Sequence, residues 1–521
     1  MNATLHRRLV GLPVDARPVV RAQVQELVAS AGWELLLPPA QALGHFRQAA
    51  NREQLQQWLW DHAAQADGVV LSLDMLLYGG LVPSRFVDDS LDSLFDRLRA
   101  VAHLKAHHPG KPVYAFLATL RISNNNVADE EKPYWAQYGT LLWQWSFHSD
   151  RAAVLAQADT TDPQTEVSLA QAQAAADRIP QHIRDDYRST RERNFAVAMA
   201  VLQATADDVI DRLVLPQDDT AAYGFNIAER RALQARVQAL GLQHRVCIYP
   251  GADEVLHTLC AHLVQRLEGV PPLRVALACS DPAQVGALHA LYEDRPLLES
   301  VAHQVAAVGA QTVAATGHEP AADLLLALHT QGPEQGDWAM QKPLPQRPGV
   351  SRDWWAQLHA AHLRGQPVAL VDLAYANGGD PWLLARLHRT GDDSTTRLPP
   401  LFTYAGWNTA SNSLGGALAH AVLAHVAVLR GGDWWAAPHQ RICTRRLFED
   451  GVYQAVLRQA LRGCCTEGHV DAAAMERLAQ DLVPPWTNAW AAGLGLARRV
   501  QGVSLPWGRS FEIDLHLQPD A

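Results

Sequence analysis

Short apolar runs of four to seven residues, rich in Leu and β-branched side chains, alternate along the chain with longer segments whose apolar positions recur every third or fourth residue. The first pattern is that of strands buried on both faces, and the second that of amphipathic helices covering them. Their alternation predicts βα units and parallel sheets. Ten strand candidates result, at 9–12, 34–37, 68–73, 113–117, 212–215, 246–249, 274–279, 323–328, 368–373 and 401–404. That is more than one compact sheet of typical size holds. Between the fourth and fifth lies a helical, Ala- and Gln-rich stretch at 130–206 with the aromatic-dense PYWAQYGTLLWQWSFH at 133–148, while 330–353 is a Gly-, Pro- and Gln-rich loop with no apolar period.

The predicted fold is therefore α/β and multi-domain, with parallel doubly wound (Rossmann-like) sheets and a helical insertion. The expected divisions are an α/β unit at 1–128, a helical insertion or cap at 129–206, an α/β unit at 207–268 that can share the first sheet, a second α/β domain at 269–430, and a mostly helical region with a closing strand at 431–521. A TIM-like barrel is the alternative, but only seven strand candidates precede residue 280, one short of closure.

Composition narrows the function. A length of 521 residues favours two or three domains, and 48% hydrophobic with 19% charged residues allows large cores. A net charge of −10 without any Lys/Arg-rich run argues against nucleic acid as a partner. Six cysteines, at 247, 260, 279, 443, 464 and 465, form no spaced framework, which fits a reduced compartment. The N-terminus turns into a strand-like run instead of an apolar signal region. The longest apolar run, 417–429, is broken by His420 and His425. A cytoplasmic protein with no membrane partner is expected, with homo-oligomerisation left open.

Ligands of parallel sheets and barrels bind beyond the carboxyl ends of the strands. There the chain places Asp15 and Arg17 after the first candidate, Asp74 and Tyr78 after the third, and Arg121, Asn124 and Asn125 after the fourth. Asp218, Asp219 and Tyr223 follow the fifth, and Asp253 and Glu254 the sixth. Asp372, Asn377 and Asp380 follow the ninth, and Trp407, Asn408 and Asn412 the tenth. A single Asp or Asn at such a place is ordinarily a helix cap or turn former. Adjacent carboxylates at 218–219 and 253–254 ask for more, because one cap uses one carboxylate and its neighbour adds repulsion.

Several signatures are absent. No Gly-x-Gly-x-x-Gly follows a strand, and there is no P-loop, Gly-x-Ser-x-Gly elbow or His-Glu-x-x-His, so no cofactor is expected. Glu254, His257 and Cys260 recur at helical spacing and could face a metal together. His and Cys on the inner stripe of a helix are more commonly core residues.

At LPVDARPV, LSLDMLLYGGLVPSR, LPQDDTAAYG, YPGADEV, DLAYANGGDP, YAGWNTASNSLG and LPWGRSFEIDL, over about residues 9–517, the sequence resembles the bacterial family catalogued as domain of unknown function 4127. The resemblance implies a soluble, enzyme-like bacterial protein and marks the strand-end positions as family motifs. It implies no reaction, and it makes the cluster around His257 no fixed feature. Where the family commonly has a second Asp in its opening motif this chain has Ala16, leaving Asp15 and Arg17.

The chemistry these residues point to is a hydrolase acting on a glycoside or amino-sugar, with a small-molecule or oligosaccharide substrate. Asp74, Asp218, Asp219 and Glu254 are the expected acid, base or nucleophile. The amides bind hydroxyls, and Tyr78, Tyr223 and Trp407 stack on a sugar face. Arg17 and Arg121 suggest an acidic or N-acyl sugar. Two alternatives use the same residues: a divalent-metal hydrolase with Asp15, Asp74, Asp218 and Asp253 as ligands, and a non-catalytic sugar-binding protein.

Overall fold

The alternation of strands and helices resolves into two open parallel sheets in a computed structural model that describes residues 6–159, 161–313, 322–344, 349–387, 398–464, 471–494, 496 and 498–518. Cys465 and the middle of the Gly/Pro-rich 330–353 loop lie outside the described residues. The chain forms two units. One comprises Met1–Ala16, Leu35–Leu256 and Tyr292–Asp294, and the other Arg17–Glu34, His257–Leu291 and Arg295–Ala521.

The first unit is built on β1 (Arg8–Leu12), β2 (Glu34–Leu36), β3 (Gly68–Ser72), β4 (Val113–Phe116), β5 (Arg212–Gln217) and β6 (Val246–Pro250), in the order β2-β1-β3-β4-β5-β6. The pairs from β1 through β6 are parallel, with Leu9 opposite Gly68, Val69 opposite Val113 and Leu213 opposite Val246. β2 and β6 stand at opposite edges, so the sheet is open and the barrel alternative is set aside. After β2 the chain returns across β1 to lay down β3. The order reverses between β1 and β3, and such a switch point leaves a crevice at the strand ends where ligands of open α/β sheets bind.

One face of this sheet shows why the apolar runs form strands. Val10, Leu12, Val69, Leu71, Val113, Ala115, Leu213 and Leu215 pack with Leu55, Leu59, Leu94, Val101 and Val201 of the covering helices. The helices Trp135–Ala158, Pro163–Ala176 and Gln181–Ala206 follow β4 and bury a core of their own around Trp135, Leu142, Trp145, Ile183 and Tyr187. The aromatic density at 133–148 is thus spent on packing.

In the second unit β7 (Arg274–Cys279), β8 (Gln311–Thr312), β9 (Leu324–His329), β11 (Val368–Asp372) and β13 (Thr403–Ala405) run parallel in the order β13-β11-β9-β7-β8. This repeats the reversal seen in the first sheet. β10 (Gly336–Asp337) pairs with β12 (Tyr375–Ala376), and the C-terminal alternation forms an antiparallel hairpin of β14 (Val500–Ser504) and β15 (Asp514–Leu517). The helix Ala410–Leu429 is longer than the apolar run read from the sequence. By length and mean hydropathy (1.4) it could cross a membrane, but 83% of that window is buried inside the protein. His420 sits inside it, bonded to Thr403 at 2.9 Å and to His439 at 3.3 Å. A π-helical stretch, Leu447–Leu457, carries Glu449 and Asp450; such segments recur at functional sites.

Candidate active site

The first unit gathers charged side chains at the carboxyl ends of β3, β4 and β5. Ser72 caps the short helix Leu73–Tyr78 through Met75 N, and Gly79, at φ 84°, closes it in the left-handed region that glycine favours. Asp74 is thereby turned inward from the end of β3 and is fully buried. Its Oδ2 accepts from Ala118 N at 3.0 Å, and its Oδ1 has no partner among the described residues. Burial pushes its pKa up to about 7, the amides of Ala118 and Asp74 pull it back, and the Asp218 charge adds to the rise.

Beside it stands a network of two guanidinium groups and four carboxylates. Arg85 donates to Glu130 at 3.1 Å, Glu131 at 3.3 Å and Asp218 at 2.9 Å. Arg121 pairs with Glu131 at 2.9 Å, Glu130 at 3.0 Å and Asp219 at 3.3 Å. Ser123 donates to the same Asp219 oxygen at 3.1 Å. Asp219 has φ 39°, outside the ordinary range for a residue with a side chain, and burial raises its pKa against the pull of Arg121. The Asp218 and Asp219 side chains keep 16% and 24% exposure, so solvent reaches them while Asp74 is sealed.

Other expected residues take different places. Arg121 is not a free fork for an acidic sugar, because all three of its guanidinium nitrogens are engaged by carboxylates. Arg17, in the second unit, faces Glu512 at 3.8 Å and lies 4.8 Å over the Trp507 ring. The surplus charge of the network is negative, which disfavours an anionic substrate there. Glu254 accepts from Ala252 N at 3.0 Å and closes its own turn. Asn125 accepts from Val127 N at 2.9 Å in the same way, and Asn124 is exposed. Tyr78 is buried with Arg193 5.6 Å from its ring, so it offers no open face to a sugar. Tyr223 packs edge-on against Phe147. Asp15 and Asp253 are buried.

Among the described residues no three His, Cys, Asp or Glu side chains are gathered as a metal would require, so Asp15, Asp74, Asp218 and Asp253 form no such ligand set. His257 Nε2 donates to Val19 O at 2.7 Å in the second unit, and burial lowers its pKa to about 3. Cys260 is a buried thiol pushed up by the same cause. Both are core residues.

The remaining expected residues belong to the second unit. Asp372 ends β11, and its Oδ2 accepts from Asp380 N at 2.7 Å and Tyr404 Oη at 3.0 Å. Asp380 caps Trp382 N at 3.0 Å and meets His329 Nε2 and Gln331 Nε2, each at 3.2 Å. Asn377, at φ 61°, donates to Asp337 at 3.0 Å and to Asn408 O at 2.8 Å, and Asn408 has φ 60°. Asn412 donates to Thr409 at 3.0 Å. Trp407 is buried with its ring 6.1 Å from Phe511, which is packing and not an open stacking face. A Cβ on Gly379 would fall 1.8 Å from Tyr404 Oη, itself fully buried. Gly379→Ala must push the Tyr404 hydroxyl off Asp372, and a loss of about 1–3 kcal/mol in urea unfolding is expected.

The sequence reading missed Arg85, Glu130, Glu131 and Ser123 in the first unit and His329, Gln331, Tyr404, Glu449 and Asp450 in the second. Glu130-Glu131 carried the same signal of adjacent carboxylates as Asp218-Asp219.

Fold and site together define a two-unit α/β protein with a fully buried carboxyl, its pKa raised by burial, at the switch point of its first sheet. The chain belongs to the family described as a protein of unknown function (DUF4127), which matches residues 9–516. No curated protein matches it.

Proposed function

We propose that the chain is a hydrolase acting on a glycoside or amino-sugar substrate, with Asp74 donating a proton to the leaving oxygen and Asp218 or Asp219 as the partner carboxylate. The observation that carries this reading is the Asp74 carboxyl: fully buried, with one oxygen unpartnered among the described residues, and pushed up to about 7 by burial. Such a group holds a proton near neutral pH, as a general acid requires. Asp218 is paired with Arg85 at 2.9 Å and Asp219 with Arg121 at 3.3 Å. A carboxyl that holds a proton, set beside a carboxyl paired with a guanidinium and open to solvent, suits the division of labour that glycoside hydrolysis uses. The negative surplus of the network also suits the positive charge that develops at the sugar carbon, or a substrate amine. Because Asp74 is fully buried, productive binding has to expose it, and the loop that begins at Ala118, whose amide bonds its carboxylate, is the segment in contact with it.

The test is turnover of a panel of chromogenic glycosides, amino-sugars included, between pH 5 and 9. Wild type should cleave at least one, with an alkaline limb near pH 7 set by Asp74. Asp218→Asn or Asp219→Asn should lower kcat by about 100-fold or more. A wild type inert across the panel sinks the reading.

A further inference from the structure

The second unit holds a buried polar network that the proposed hydrolysis does not use. Asp372, Asp380, Asp450, His329 and Gln331 are all buried at the carboxyl ends of β9, β11 and β13. They are joined in one piece. Gln331 and His329 bond Asp380, and the Asp380 amide bonds Asp372. Gly406 N donates to Asp450 Oδ2 at 3.0 Å. Gly406 and Gly379 link the two ends: a Cβ on Gly406 would lie 3.3 Å from Gly379 Cα, and one on Gly379 would lie 3.1 Å from Asp372 Oδ2.

The unused valences of this network are of one kind. Asp372 Oδ1, Asp450 Oδ1, Gln331 Oε1 and His329 Nδ1 have no partner among the described residues. Gln331 must turn its amide nitrogen to a carboxylate that only accepts, which leaves its carbonyl over. In the neutral His329 ring the same rule puts the hydrogen on Nε2 and the lone pair on Nδ1. Four buried acceptors with no donor among the described residues, two of them on carboxyls whose proton affinity burial raises, form a costly arrangement. An ammonium group has donors only and carries the compensating charge.

We propose that the second unit binds an ammonium group, as the free ion or as the head of a small primary amine, at the acceptors of Asp372, Asp450, Gln331 and His329. The test is thermal unfolding of the full chain at pH 7 in equal concentrations of ammonium, methylammonium, tetramethylammonium and sodium chloride. At several times Kd, ammonium should raise Tm by about 2–4 °C over sodium, and tetramethylammonium, which has no N–H, should not. A rise with ammonium alone identifies the free ion. A rise with methylammonium as well identifies an amine head. In Asp372→Asn the carbonyl can still accept from Asp380 and Tyr404, while its NH2 supplies the missing donor, so the ammonium response should vanish without loss of Tm in sodium. Asp450→Asn gives the same reading should the first variant fold poorly. Equal Tm in all four salts, or a response that survives both substitutions, overturns the proposal. No outcome depends on hydrolytic activity.

Discussion

Asp74→Asn should yield a protein that is both less active and, above neutral pH, more stable. The Asn carbonyl can keep the bond from Ala118 N, so the local geometry survives while the transferable proton is lost. Removing a general acid should lower kcat by about 10²- to 10⁴-fold. The stability change follows from linkage. Burial raises the Asp74 pKa to about 7 in the folded state, against about 3.9 in the unfolded chain. The folded state therefore holds this proton more tightly. Its contribution is complete below about pH 4 and is lost as pH rises towards 7, beyond which a charged carboxylate stays buried. Asn does not ionise and escapes that loss. The variant's advantage should grow from nearly nothing at pH 4 to on the order of 2–4 kcal/mol at pH 8. Urea unfolding at pH 4.5, 6 and 8 reads the trend. Parallel pH profiles for the two proteins would show that Asp74 titrates normally, and undiminished turnover would remove it from the chemistry. Greater stability with lower activity is the mark of a group kept for function and not for folding.

How much of this was legible depends on the range of the signal. β3 and Asp74 were readable because an apolar run ending in a carboxylate is a local pattern, and so was Asp218-Asp219, where adjacency itself is informative. Glu130 and Glu131 carried the same adjacency but followed three Asn residues in a loop, where polarity is unremarkable. Their partner Arg85 lies 45 residues before Glu130, and no periodicity encodes that pairing. His329 closes a strand of Leu and Ala, so from sequence it reads as one more core position. Only the fold brings Asp380, 51 residues on, against it. The aromatic residues failed in the opposite direction. Tyr78 and Trp407 sit among strand-end motifs as sugar-stacking residues would, but their rings are buried. β8, β10 and β12 are two residues long, below the length at which alternation can be recognised. The segment Arg17–Glu34 follows β1 and ends on the first residue of β2 yet belongs to the second unit, and no composition change marks either end.

Arg191 offers the second large effect, because it connects the helical insertion to the loop that bears Arg121. From the helix Gln181–Ala206 it donates to Glu229 at 2.8 Å and 2.6 Å, to Tyr187 Oη at 3.0 Å, and to the carbonyls of Leu120 and Arg121 at 3.0 Å and 3.3 Å. The guanidinium is buried, and Glu229 is partly so. Arg191→Met leaves Glu229 without its counter-charge and two carbonyls without a donor, and should cost about 3 kcal/mol in urea unfolding. Adding Glu229→Met removes the stranded charge. A buried ion pair replaced by apolar side chains of similar size is often neutral in stability, so much of the loss should return. The carbonyls of Leu120 and Arg121 nevertheless stay unpartnered in the double variant. If Arg191 positions the loop, turnover should remain depressed after stability is restored, and the loss should fall on kcat more than on KM, since Arg121 holds the partner carboxylate Asp219. Activity that recovers in step with stability would make Arg191 a scaffold residue and nothing more.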